Sequence, residues 1–181
     1  MSESPKYYEI TMCRDPLVGY PKPPLPEGFS LRLYKPGDKE TWVSIQDEAD
    51  TLNAITPKLF HDSFGTDETL IAQRQLYLCD SQGTSIGTST GWSRERNGES
   101  WGRVHWVAIR PEFQGRGLAK PLISATLSII EQLGHDKVYL STATPRLPAI
   151  NLYLSQGFLP ERHSEEDIVA WEEVARWIKL P

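Results

Sequence analysis

From Phe29 onward the hydrophobic and polar positions switch between a period of two and a period of three to four. Ser30–Tyr34 alternates, with Leu31 and Leu33 on one face, and predicts a strand. Pro36-Gly37-Asp38 breaks it, and Asp38 is the expected N-cap of a helix over Lys39–Ala49 whose Trp42, Ile45 and Ala49 recur at helical steps. Thr56-Pro57 reads as a cap with proline in the first turn, opening a short helix through Phe64. Gln75–Cys79 and Ser85–Trp92 predict strands joined by Asp80-Ser81-Gln82-Gly83, and Trp101–Ile109 a third; Arg94–Ser100 between them reads as a polar loop tipped by Asn97-Gly98. A helix is expected from about Gly117 to Leu133, with Leu118, Leu122, Ala125, Ile129 and Leu133 as its buried stripe and Gly134 ending it. Val138–Thr142 then predicts a strand, Pro148–Gln156 a short helix, and Phe158 the start of an extended piece. Ser164-Glu165-Glu166-Asp167 resembles a capped helix start; the helix runs to about Ile178 with Ile168, Trp171, Val174, Ala175 and Ile178 along one stripe.

Upstream, Lys6–Arg14 alternates loosely and predicts a strand. Five prolines between Pro16 and Pro26 make Asp15–Gly28 an extended arm, which either wraps the domain or tethers a neighbour, with a PxxP-type ligand as a third reading. The expected organisation is a strand and arm over residues 1–28 and a single domain over residues 29–181, without internal repeats. The strand-helix-strand unit from Val104 to Thr142 indicates an α/β or α+β protein with a mixed sheet.

Composition narrows the function classes. The 181 residues suit one core that needs neither disulfides nor structural metal. With 24 acidic against 19 basic residues the net charge is −5, which argues against a nucleic-acid-coating surface. No apolar run reaches the ~20 residues of a membrane span, and Met1–Pro5 lacks the basic-then-apolar layout of a secretory signal. Two cysteines, Cys13 and Cys79, are too few for a disulfide scaffold, and nothing groups them as metal ligands. A cytoplasmic protein is expected.

The segment Val107-Ala108-Ile109-Arg110-Pro111-Glu112-Phe113-Gln114-Gly115-Arg116-Gly117-Leu118-Ala119 carries the chemistry. A buried strand ends, a turn with two glycines follows, and a long helix begins. Glycine lets backbone approach a ligand closely, and the first amides of a helix lack partners and carry partial positive charge. Such a turn can hold phosphate. Arg116 and Lys120 add positive charge, and Pro121 lies where a missing N–H costs little. The nucleotide-loop pattern G-x-x-x-x-G-K-[ST] is absent, and the dinucleotide pattern G-x-G-x-x-G fails at Lys120. A glycine turn holding no ligand remains the plain alternative.

Gln114-Gly115-Arg116-Gly117-Leu118-Ala119 resembles the Q/R-x-x-G-x-G/A signature of the GNAT superfamily of N-acetyltransferases, and Ala149-Ile150-Asn151-Leu152-Tyr153-Leu154-Ser155-Gln156-Gly157-Phe158 its A-I-x-L-Y-x-x-x-G-F signature. The resemblance covers roughly Phe29 to Phe158. It implies a twisted mixed sheet whose middle strands, Val104–Ile109 and Val138–Thr142, splay apart to admit a thioester. By the same resemblance, the Gln114–Ala119 amides would hold the pyrophosphate of acetyl-coenzyme A, and the backbone of Val107, Ala108 and Ile109 would pair with its pantetheine arm. Tyr153 stands where the family's general acid protonates the departing thiolate; a packed core aromatic is the other reading. The acceptor amine must lose a proton to attack. His105 is the candidate base, on the same face as Val107 and Ile109 if no bulge intervenes; a structural histidine or a water chain are the alternatives.

The sequence departs from the family pattern at Arg146, where asparagine is usual seven residues before the tyrosine; Arg146 and Asn151 stay as candidate cofactor contacts. Family members also tend to finish on a strand hairpin, whereas a helix is expected here; its stripe suits core packing or a homodimer contact. His61, His135, His163 and Glu112 carry no constellation, and Cys79 lacks a placed base for a covalent route. The implied activity is direct acetyl transfer to a small-molecule or protein amine, without metal, nucleic acid or membrane; a silent acyl-coenzyme A sensor is the alternative. Asp47–Phe64 and Trp92 would shape the acceptor site with the C-terminal segment, offering Asp47, Glu48, Asp50 and Asp62 as acids and Phe60, Phe64, Trp92 and Trp106 as aromatics.

Overall fold

A computed structural model describes residues 4–181; the first three residues of the Met1–Pro5 stretch lie outside the described residues. The elements in chain order are β1 (Glu9–Arg14), β2 (Ser30–Leu33), α1 (Asp38–Ala49), α2 (Pro57–Phe64), α3 (Glu68–Ala72), β3 (Gln75–Cys79), β4 (Ser85–Arg96), β5 (Glu99–Ile109), α4 (Ala119–Gln132), β6 (Val138–Ala143), α5 (Leu147–Ser155), β7 (Leu159–Pro160) and α6 (Glu165–Ala175). The strands form one seven-stranded sheet in the order β2-β3-β4-β5-β6-β1-β7. Only β5 and β6 run parallel, so the sheet is mixed as expected.

Two aspects of this sheet create the site. The parallel pair β5–β6 is joined only at Gly102↔Val138 and Arg103↔Tyr139. Beyond these residues β5 stays paired with β4 to Ile109, and β6 stays paired with β1 to Ala143. The sheet therefore opens into a V with its apex at Gly102. A side chain at position 102 would force a shift, because its Cβ would run into Ile130 of α4.

Second, the β4–β5 register jumps from Thr88↔Ala108 to Thr90↔His105, leaving one extra residue on β5. Trp106 absorbs it at φ 52°, a conformation that β-branched and bulky residues avoid. The expectation that His105 shares a face with Val107 and Ile109 is overturned by this bulge. His105 and Trp106 instead face the aromatic cluster of α1 and α2, while Val107 and Ile109 pack on the α4 side.

That cluster is built edge-to-face around the fully buried Trp42, with Phe60, Phe64 and Trp106 at centroid distances of 5.3, 5.6 and 5.4 Å. Each such pair adds ~0.5–1.5 kcal/mol beyond area burial. A second core joins Ile123, Leu127 and Ile130 of α4 to Met12, Leu140, Ile150 and Trp171.

Several local expectations change. Asp38 is the first residue of α1 rather than its cap, which is Gly37 at φ 94°. The Asp38 carboxylate instead takes a two-pronged bond from Arg32 and the amide of Lys35. The Arg94–Ser100 segment is strand except for its Asn97-Gly98 tip, and α3, capped by Asp67, is an element the sequence reading lacked. On α4, Ile123, Leu127 and Ile130 are buried while Ala125 and Ile129 are only partly so, because the arm lies on the helix as well as the sheet. Leu17 and Tyr20 of the arm are buried, and the Tyr20 hydroxyl meets Ser128 and Glu131. On α6, Ser164 and Asp167 form the full capping box, but Ile168 points outward.

Candidate active site

The V between β5 and β6 is a cleft of about 760 Å³. It reaches from the turn after β5, past the unpaired edges of both strands, to the ends of α1 and α5. Val107, Ala108, Ile109, Gln114, Gly115, Gly117, Leu118, Ala119 and Lys120 line it, so these predicted cofactor residues are gathered along one wall.

The turn is shaped by its glycines. Gly115 and Gly117 adopt φ 74° and 77° with open space where a Cβ would stand. No side chain caps α4, and among the described residues the amides of Gly115 to Leu118 donate to no other group. The side-chain amide of Gln114 donates to the Ile109 carbonyl at 2.8 Å, tying the turn to the strand end. Arg116 turns away: it lies over Phe113 and donates to the Glu112 carbonyl, outside the cleft. Asn151 is exposed on α5 and does not line the cleft either. The geometry therefore brings neither of these two side chains to the cleft, and Arg116 contributes to the turn only its backbone amide.

Tyr153 sits on α5 with only 7% of its surface exposed, and it lines the cleft. Burial pushes its phenol up to about 12, opposed by the nearby charge of Arg146. His105 lines the same cleft and packs against Phe64 at 5.5 Å between ring centroids. Burial holds its imidazole well below the usual value, with the charges of Arg103 and Arg94 acting in the same direction, so it is neutral near pH 7. Tyr153 and His105 thus share one cavity in uncharged forms.

Arg146 is tied to Asp50 through one of its nitrogens. Its Nη2 contacts both Asp50 oxygens at 2.8 Å, joining the start of α5 to the end of α1. Burial works against ionisation of Asp50, but the side chain of Asn53, the amides of Leu52 and Asn53, and Arg146 outweigh it and hold the carboxyl below its usual range. Of the other acids expected near an acceptor, Glu48 pairs with Arg110 and Asp62 with Lys58, and Asp47 does not line the cleft. Phe60 and Phe64 are core, leaving Trp106 as the expected aromatic that reaches the cleft. His61, His135 and His163 lie outside it, as do Glu112 and Cys79; His135 bonds Ser93 at 2.8 Å.

The sequence reading missed Gln46, Glu9, Asn53 and Arg103, all of which line the cleft. Gln46 is 2% exposed and donates to the Trp106 carbonyl at 3.0 Å, satisfying the bulge from α1. A polar residue next to Ile45 and four after Trp42, on the apolar arc of the helix, was its signal. Among the described residues no group of three or more His, Cys, Asp or Glu side chains could hold a metal, and no helix is long and apolar enough to cross a membrane.

The model of the acetyltransferase (GNAT) family matches residues 40–158. The chain is 32% identical over 161 residues to the mycothiol acetyltransferase of Actinosynnema mirum, covering 83% of this chain and 51% of that protein. It is 31% identical over 150 residues to that of Pseudarthrobacter chlorophenolicus, covering 76% and 45%. The chain spans about half the length of these relatives. Among solved structures, a GCN5-related N-acetyltransferase from Sphaerobacter thermophilus superposes with a TM-score of 0.69 at 23% identity, over 88% of this chain and 50% of that one. The NatC complex bound to Gag peptide and CoA gives 0.63 at 18% identity, over 74% and 86%. At these identities the likeness concerns the fold.

Proposed function

The chain belongs to the acetyltransferase (GNAT) family, and from that premise we propose that it moves an acetyl group from acetyl-coenzyme A to the primary amine of a small molecule. One observation carries the reading: a single cleft joins an amide-lined turn to a buried phenol through the gap between two unpaired strand edges. An anion suits the turn, and an extended arm suits the strand edge, as an added strand would. The N–H groups of Gly115 to Ala119 hold the diphosphate, with Lys120 adding charge. The backbone of Val107 to Ile109 pairs with the pantetheine.

The reaction is direct. The amine lone pair attacks the thioester carbonyl carbon, a C–N bond forms and the C–S bond breaks. His105 takes the proton that the amine loses, and Tyr153 gives its proton to the departing sulfur. An ordinary thiol has a pKa of ~8.5, well below a phenol at about 12. The thiolate leaves within the same partly enclosed cleft, however, and burial raises its basicity as it raises the phenol's; Arg146 favours the phenolate. The relatives' name supports a small-molecule acceptor. Two free cysteines suit a cytoplasmic setting.

The test mixes purified protein, acetyl-coenzyme A and a panel of amines, and follows free thiol. Thiol release that needs an amine and falls in Tyr153→Phe is expected. Calorimetric binding of coenzyme A without thiol release from any amine would return the chain to a sensing role.

A further inference from the structure

Arg103 carries a charge that the fold does not answer. Among the described residues its guanidinium makes no hydrogen bond and no ion pair within 4.0 Å, and its Nε is fully buried without a partner. The one group stacked against it is the Tyr139 ring, at 5.6 Å from its centroid. Partial burial lowers its pKa. A buried Nε–H left unbonded is costly, and the two Nη groups, without a protein partner among the described residues, are free to take a ligand that satisfies the whole fork. Arg103 lines the cleft.

Its place excludes the diphosphate as that ligand. Arg103 lies at the apex of the V, six residues before the strand ends at Ile109. At ~3.3 Å per residue this is about 20 Å from the turn that follows. It shares the α1 side of β5 with His105, where the amine must arrive.

The buried acid nearby does not suit a cationic partner. The Asp50 carboxylate already accepts from Arg146, from the backbone and side chain of Asn53, and from the Leu52 amide. Arg146 gives Asp50 only its Nη2, leaving Nη1 and Nε without a partner among the described residues. Glu9 reaches Arg103 only as a distant charge and is itself exposed, and Arg94 adds a further cation. The acceptor end therefore offers unbonded guanidinium donors and no unengaged buried carboxylate.

We propose that the acceptor is an amine that also carries a carboxylate, and that Arg103, seconded by Arg146, reads that carboxylate and sets specificity. The inference rests on the acetyl-transfer reading above. A polyamine or other purely cationic amine is disfavoured at this site, and the carboxamide of the same amine binds less well because it cannot accept as a charged fork.

Matched pairs test it: free amino acids against their carboxamides, compared by kcat/KM for thiol release in the wild type, Arg103→Met and Arg103→Lys. We expect the acids to be favoured at least tenfold, the ratio to collapse towards one in Arg103→Met, and part of it to survive in Arg103→Lys. Equal use of acid and amide, or a ratio untouched by Arg103→Met, overturns the proposal. A second arm needs no turnover: calorimetry of N-acetyl amino acids and their carboxamides on the protein saturated with coenzyme A. Acid-selective binding that Arg103→Met abolishes, with coenzyme A affinity retained as the sign of a folded site, supports the proposal even if no amine is acetylated. In that event the transferase reading fails, and with it the word acceptor, while the carboxylate-reading role of Arg103 stands; equal binding of both forms overturns that role.

Discussion

Gln46 of α1 donates its side-chain amide to the carbonyl of Trp106 on β5 at 3.0 Å, across 60 residues of chain. That carbonyl belongs to the residue at φ 52°, where the strand takes in an extra residue and cannot complete its ladder to β4. A helix side chain thereby replaces a lost sheet bond, and the bulge it holds turns His105 toward the acceptor side of the cleft.

Replacing Gln46 by leucine leaves the partly buried Trp106 carbonyl without this donor. A loss of about 1–3 kcal/mol is expected in urea unfolding, together with lower turnover. An unchanged urea midpoint would show that the bulge holds itself.

Tyr153→Phe removes the proton donor but little volume. Turnover should fall ~10²–10⁴-fold while coenzyme A affinity by calorimetry stays put. With the phenol pushed up to about 12, Tyr153 is protonated throughout an ordinary assay range and loses its proton only as pH rises through that value. A descending limb of kcat between pH 8 and 10 that vanishes in Tyr153→Phe would contradict this assignment.

His105 links stability to pH. Its folded-state pKa lies well below 6.5, so protons bind more readily to the unfolded chain. The stabilising difference is whole above the unfolded pKa and is lost as pH falls toward the folded one, at up to ~1.4 kcal/mol per pH unit. Urea unfolding at pH 7.5 and 5.5 should show a larger loss for the wild type than for His105→Gln. Equal losses would mean that His105 is well solvated.

Two glycines should fail for different reasons. Gly102→Ala drives a methyl group into Ile130 at the apex of the V and should cost about 1–3 kcal/mol by overpacking. Gly117→Ala meets open space and suffers only its positive φ, a penalty of about 1–2 kcal/mol, but should also weaken coenzyme A binding. Thermal unfolding and calorimetry on both variants separate packing from binding.

Much of this was readable in the chain. The helix caps at Thr56 and Ser164, the strands at Gln75 and Val138, and the glycine turn with its helix all have local causes that short windows reveal. What escaped is what distance in sequence conceals. The arms of the Asn97-Gly98 hairpin look like loop because they are polar and stand largely in water, and α3 is too short to show a period. Positive φ at Trp106 has no signature without glycine, so the bulge and the true face of His105 were hidden. Asp50 and Arg146 lie 96 residues apart, and neither announces the other. Arg103 stood in plain view as a charge in a mostly apolar strand, but only the unpaired geometry of its guanidinium gives it meaning.

The first strand of the chain lies between β6 and β7, both made after residue 137. Three of the seven strands thus join residues 9–14 to residues 138–160, and a ribosome must reach residue 160 before that part of the sheet can close. A fragment trimmed to begin at Phe29 would retain the whole glycine turn yet leave β6 with a bare flank, turning one wall of its cleft into an adhesive edge.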